Sequence, residues 1–207
     1  MAKRIGVISD THDKLPDGAF ELFCGGWDDE RLNRAASQVL RCSRAEDAPT
    51  LEDVAGEADG WLDACNVDFV LHAGDVCRQS ILDELEAIAP CVAVLGNNDC
   101  EPLLASDGRV QPFRSLRWEG VEVAMAHIPQ DLRRALEGRP PLAPRLVQRE
   151  PDLAVYGHTH VPDVRIEGAH VLLNPGSPSR GRNGSGHNVA LVDVEGGRLA
   201  RIAIVAV

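Results

Sequence analysis

The stretch DLAVYGHTH, residues 152–160, runs from an apolar core segment straight into two histidines one residue apart. Leu153-Ala154-Val155 reads as a buried strand. A strand alternates its faces with period two, so His158 and His160 are expected to look to the same side. Gly157 permits a sharp backbone turn that a Cβ would resist. Two imidazoles converging beyond a strand end can grip a metal ion, or they can be ordinary loop histidines. The pair alone leaves both readings open.

Working outward, the same arrangement recurs. Residues 4–9 read as a buried strand that ends at Asp10-Thr11-His12-Asp13. A second short strand, 69–72, stops at Ala73-Gly74-Asp75, and a third, 91–95, stops at Gly96-Asn97-Asn98-Asp99. The alternating segment 121–126 ends at His127. Strand exits thus supply three oxygen donors (Asp10, Asp75, Asn97) and four imidazoles (His12, His127, His158, His160). Exits of strands are where α/β sheets build their sites. Mixed carboxylate, amide and imidazole ligands suit two metal ions of borderline hardness, and a thiolate set for structural zinc is missing. Singly each element is weak, because Asp-x-His and Gly-Asp are common. Five blocks, each at the end of an apolar run, are difficult to explain otherwise.

The blocks Asp10-x-His12, Gly74-Asp75, Gly96-Asn97-Asn98-Asp99, His127 and Gly157-His158-x-His160 resemble the signature of the calcineurin-like metallophosphoesterases. Asn174-Pro175-Gly176-Ser177 is similar to a loop of the small bacterial and archaeal phosphodiesterase branch. The resemblance spans residues 4–178. It implies an α/β fold, a four-layer α-β-β-α sandwich of two mixed β-sheets flanked by helices. It also implies a dinuclear site: Asp10, His12 and His160 on one ion, Asn97, His127 and His158 on the other, and Asp75 bridging. Asp75, Asn97 and His127 then carry the catalytic roles. Two divalent ions are the implied cofactors, with manganese expected and iron, nickel and zinc admissible. Ions about 3.5–4 Å apart clamp the attacking and leaving oxygens at phosphorus and generate hydroxide near neutral pH.

The implied activity is hydrolysis of phosphodiester bonds in small substrates. A nucleotide pyrophosphatase or phosphomonoesterase, or a non-catalytic protein-binding scaffold of the same fold, are the alternatives. Three departures from the family pattern stand out. Asn98 occupies the position where many members have a histidine that protonates the leaving group. Ile128-Pro129 follow His127 in place of the usual glycine. The interval between His12 and Asp75 is also long, and residues 17–50 read as an acidic, helix-containing insertion near the site mouth.

Composition sets further bounds. The 207 residues fit a single domain, and 44% apolar content gives a real core. The net charge of −11 argues against a long nucleic-acid partner. Residues 17–64 hold twelve acids against four arginines, leaving −3 for everything else. Arginines gather at 133, 134, 139, 145 and 149, then at 180 and 182, and a phosphate contact competes there with a plain solvated surface. Six cysteines without a C-x-x-C pair read as free thiols in a reducing, cytoplasmic compartment. No apolar run approaches a membrane span, and the basic N-terminus leads into a strand rather than a signal peptide. A small phosphoester is the expected partner, with a second copy of the chain admissible. Helices are expected near 29–44, 51–65, 79–88, 131–137 and 144–149.

Overall fold

In a computed structural model, residues 2–45, 48–138 and 149–207 are described. The expected helical piece at 144–149, and Arg139 and Arg145, fall outside them, except that residues 149 and 150 form an exposed bend and loop.

The first sheet orders its strands β3-β2-β13-β12-β1-β4-β5-β6. These are β1 (Lys3–Ile8), β2 (Ala36–Ala45), β3 (Ala48–Asp53), β4 (Phe69–His72), β5 (Cys91–Val94), β6 (Val110–Gln111), β12 (Asn188–Glu195) and β13 (Arg198–Ala206). The second sheet runs β10-β11-β9-β8-β7. Its members are β7 (Arg114–Trp118), β8 (Val121–Met125), β9 (Leu153–Val155), β10 (Asp163–Glu167) and β11 (His170–Asn174). Both sheets are mixed. β1 is parallel to β4 and antiparallel to β12, and β9 is parallel to β8 and β11 while β10 and β11 are antiparallel.

The layers follow from the period of two. Ile5 and Val7 of β1, Leu71 of β4 and Val192 of β12 pack against Val123 and Met125 of β8 and Leu153 and Val155 of β9. This is the core between the sheets. Ile8 and Val70 face the other way, onto α1 (Asp17–Phe23), α2 (Asp29–Ala35) and α3 (Gln79–Glu86) through Leu22, Phe23, Leu32, Ile81 and Leu85. A short helix α4 (Pro102–Ser106) adds Leu104 to this layer. On the far side, Ala124, Ala154 and Leu172 pack on Leu132 and Ala135 of α5 (Pro129–Leu136). The four-layer α-β-β-α sandwich is therefore present.

Two helix expectations need correction. The helix expected over 29–44 ends at Ala35, and 36–45 is strand β2, paired with β13 from Arg201↔Arg41 to Val205↔Ala36. The expected helix at 51–65 is replaced by β3 and a single 3-10 turn, Ala58–Gly60. Five apolar positions between 32 and 40 satisfy a helical period. However, β13 needs a partner along its outer edge, and that pairing overrides the local pattern. Segment 17–50 thus holds two short helices but ends in a hairpin that widens the sheet. Among the described residues no helix is long and apolar enough to cross a membrane.

Candidate metal centre

β1, β4 and β5 are adjacent and parallel, so their exits bring Asp10, His12, Asp75 and Asn97 to one edge. The exits of β8 and β9 in the second sheet add His127, His158 and His160. Asp10, His12, Asp75 and His160 each offer a donor atom, and these atoms lie within 4.8 Å of one another. Asp10 Oδ1 is 3.2 Å from His160 Nε2, and His160 Nε2 is 3.1 Å from His12 Nε2. A second group gathers at Asn97, whose Oδ1 lies 3.1 Å from His127 Nε2 and 2.8 Å from His158 Nδ1. Asp75 faces both groups. Its Oδ1 is 3.4 Å from His127 Nε2 and its Oδ2 is 3.8 Å from His12 Nε2.

Several features fit these residues to divalent cations. Asp10 Oδ2 accepts from Ser9 Oγ at 2.6 Å and from the His158 amide at 2.9 Å. Its Oδ1, in contrast, is fully buried without a hydrogen-bond partner. A buried carboxylate oxygen left without a donor is costly unless a cation meets it. Backbone carbonyls also hold the far nitrogens of two rings. His160 Nδ1–H donates to the Arg180 carbonyl at 2.7 Å, and His127 Nδ1–H donates to that of Ala73 at 2.8 Å. Each Nε2 lone pair then points into the site, the usual orientation of a metal-binding histidine. Burial lowers the pKa of His12. Burial also opposes charge on His127, but its bond to Asp75 and the charge of Asp10 outweigh it and raise its pKa. Asp75 would be raised by burial, yet His127 and Asn98 hold it well below the usual carboxylate range.

The loops are strained into place. Asp10, His12, Asp75, His158 and His160 all have positive φ, between 46° and 71°. Gly157 does not, so the expected role of Gly157 as the turning residue is corrected: the histidines themselves take the left-handed backbone. Glycine is needed at 157 for close approach instead. A Cβ there would lie 1.9 Å from Ser9 Oγ and 2.8 Å from Asp10 Oδ2. Gly96 is similar, its Cβ falling 2.1 Å from Asp75 Oδ1. The period-two expectation for 158 and 160 also gives way, because β9 ends at Val155 and the two rings reach different groups.

Other residues lock the loops together. Asp99 Oδ1 accepts from the Cys77 amide at 2.6 Å and Oδ2 from the Gly96 amide at 2.7 Å, joining the loops of Asp75 and Asn97. Asn98 donates to Asp75 from its backbone at 2.8 Å and its side chain at 2.6 Å. Asn174 donates to the Gly157 carbonyl and Thr159 Oγ1, both at 2.9 Å, and Ser177 donates to the Asp10 carbonyl at 2.8 Å. Ser177 belongs to the Asn174-Pro175-Gly176-Ser177 loop noted from the sequence, whereas Ser9 and Ser179 escaped sequence reasoning, since a lone serine carries no signal. Asp13, next to His12 in sequence, is exposed and sits 3.9 Å from Arg78. An open cavity of about 590 Å³ beside the site is lined by His12, Asp13, Cys77, Asn98, His160 and residues 180–182. Among the described residues, none of this lining comes from 17–50.

With this geometry in place, comparison with known proteins is direct. Residues 51–197 match the calcineurin-like phosphoesterase superfamily domain. A protein named probable metallophosphoesterase from Methanothermobacter thermautotrophicus is 31% identical over 179 residues, covering 84% of this chain and 77% of the relative. Among solved structures, an archaeal phosphodiesterase is 22% identical with a TM-score of 0.60, over 97% of this chain and 99% of that one. Vacuolar protein sorting 29 from Cryptosporidium parvum is 16% identical with a TM-score of 0.56, over 100% and 99% of the two chains. At these identities the two structures establish the fold alone. The chain belongs to the calcineurin-like phosphoesterase superfamily.

Proposed function

We propose that this protein hydrolyses small phosphodiesters with two divalent cations, manganese foremost. The observation that carries the reading is the placement of Asp75, one carboxylate facing two donor groups through separate oxygens. Asp10, His12 and His160 would hold one ion, and Asn97, His127 and His158 the other, with Asp75 shared. When bound, such ions make water acidic and neutralise charge on phosphoryl oxygens. The chain's own residues supply orientation. Ala73 and Arg180 carbonyls fix two ring tautomers, Asn98 steers Asp75, and Ser9 leaves Asp10 Oδ1 facing inward. The six free thiols support a reducing, cytoplasmic setting.

The likeness to vacuolar protein sorting 29 favours a second reading, a scaffold that binds other proteins without turnover. One experiment separates them. Purified protein is dialysed against manganese, its metal content measured, and bis(4-nitrophenyl) phosphate offered. About two ions per chain with turnover supports the enzyme. Bound metal without turnover of this ester, an alkyl diester or a monoester supports the scaffold.

A further inference from the structure

The cavity beside the donor groups has a wall that the hydrolytic reading leaves unused. Arg180 and Arg182 line it, on the loop that follows Ser177. The backbone of this loop is tied to the centre at several points. The Arg180 amide donates to Ser177 Oγ at 2.8 Å, while Ser179 Oγ donates to the Thr11 carbonyl at 2.8 Å. The Arg180 carbonyl takes the His160 proton, and the Arg182 amide donates to the His160 carbonyl at 3.3 Å. Both guanidinium groups are therefore rooted within a residue or two of contacts to ligand-bearing loops.

Neither guanidinium has a carboxylate or hydrogen-bond partner among the described residues. That is unusual in this acidic chain, where Arg4, Arg109, Arg133 and Arg165 each meet a carboxylate. The one acid on the cavity wall, Asp13, faces Arg78. The cavity thus offers two free planar forks of N–H donors, the geometry that takes phosphate in paired hydrogen bonds. The net charge of −11 repels long polyanions, whereas a local pair of cations admits one compact anion.

We propose that Arg180 and Arg182 form an anion subsite that selects phosphodiesters bearing an additional phosphate group beyond the one being cleaved. This rests on the hydrolytic reading above for its site. A diester whose reacting phosphorus sits at the donor groups would extend its second phosphate along the cavity to the two arginines.

The test uses two substrates with the same leaving group, the 4-nitrophenyl ester of thymidine 5′-phosphate with and without a 3′-phosphate. The manganese-loaded protein is expected to favour the 3′-phosphorylated ester by about tenfold in kcat/KM, chiefly through KM, as charged hydrogen bonds to phosphate allow. The double substitution Arg180→Gln, Arg182→Gln is expected to bring this ratio close to one. A ratio near one in the unaltered protein, or a preference that survives the double substitution, overturns the proposal. Calorimetry with thymidine 5′-phosphate and thymidine 3′,5′-bisphosphate gives a readout independent of turnover. If neither ester is cleaved but the bisphosphate binds about tenfold tighter and loses that advantage in the double variant, the hydrolytic reading fails and the subsite stands. Equal binding of the two nucleotides removes the subsite.

Discussion

His72 Nε2 lies 3.1 Å from Thr11 Oγ1, and His72 Nδ1 accepts the Gly74 amide at 3.2 Å. A single buried ring thereby joins the loop of Asp10 and His12 to the loop of Asp75. Because Nδ1 accepts, the ring proton sits on Nε2 and donates to Thr11. Burial pushes the pKa of His72 down to about 3, so the folded protein keeps the ring neutral. The unfolded chain takes up a proton near the ordinary value of about 6.5.

Stability should therefore be unaffected by this group above pH 6.5 and fall as pH drops from there toward 3. The contribution is on the order of 3 kcal/mol by pH 4. Urea unfolding of chelator-treated protein and of His72→Asn across pH 4–7 measures it. The native protein should show a slope steeper by about one proton. Parallel slopes would mean that His72 is not the neutral strut described.

Asp75→Asn removes charge from both donor groups at once. Bound manganese should fall and diesterase activity should drop by at least about 100-fold, while circular dichroism stays native. His160→Ala and His127→Ala should each lower the metal content by about one ion. A wild-type rate in Asp75→Asn refutes the shared role of this carboxylate.

Asn98 spends its side-chain amide on Asp75 Oδ2 and has no proton to give a departing alkoxide. The rate should therefore depend steeply on leaving-group pKa, with aryl diesters far ahead of alkyl ones. Asn98→His should help poor leaving groups most, by about 100-fold. A flat dependence across a graded series of aryl and alkyl diesters would point to another proton donor.

Gly157→Ala places a methyl group against Ser9 Oγ and Asp10 Oδ2. The loss should be about 1–3 kcal/mol, seen as a lower Tm together with weaker metal binding. Gly108→Ala is the control, since nothing lies within 4 Å of its Cβ. Equal melting of the two variants would show that the 157 loop yields without cost.

The strand exits were legible because each couples a short apolar run to a polar residue, as in Val70-Leu71-His72 before Gly74-Asp75. That is local information. The hairpin of β2 and β3 was not legible, because Leu32, Ala35, Ala36, Val39 and Leu40 fit a helix until β13 competes for the backbone of 36–45. β7 also went unread: its burial alternates weakly, and among the described strands it pairs with β8 alone. At the centre, the types of donor side chain at the strand exits could be read from sequence, but the left-handed backbone at His158 and His160 could not. It is enforced by contacts from Asp10, Arg180 and Asn97, which come from three other parts of the chain.

The hairpin has a consequence for self-association. Without it, β13 would end the larger sheet, and its run Ile202-Ala203-Ile204-Val205 would present open backbone groups beside an apolar surface, inviting another chain to add a strand. β3 closes that side with a segment carrying Pro49, Glu52 and Asp53, residues that pair poorly with a neighbouring strand. Excising 36–53 should therefore change sedimentation before it changes substrate choice, turning a sheet with a guarded margin into one that stacks edge to edge.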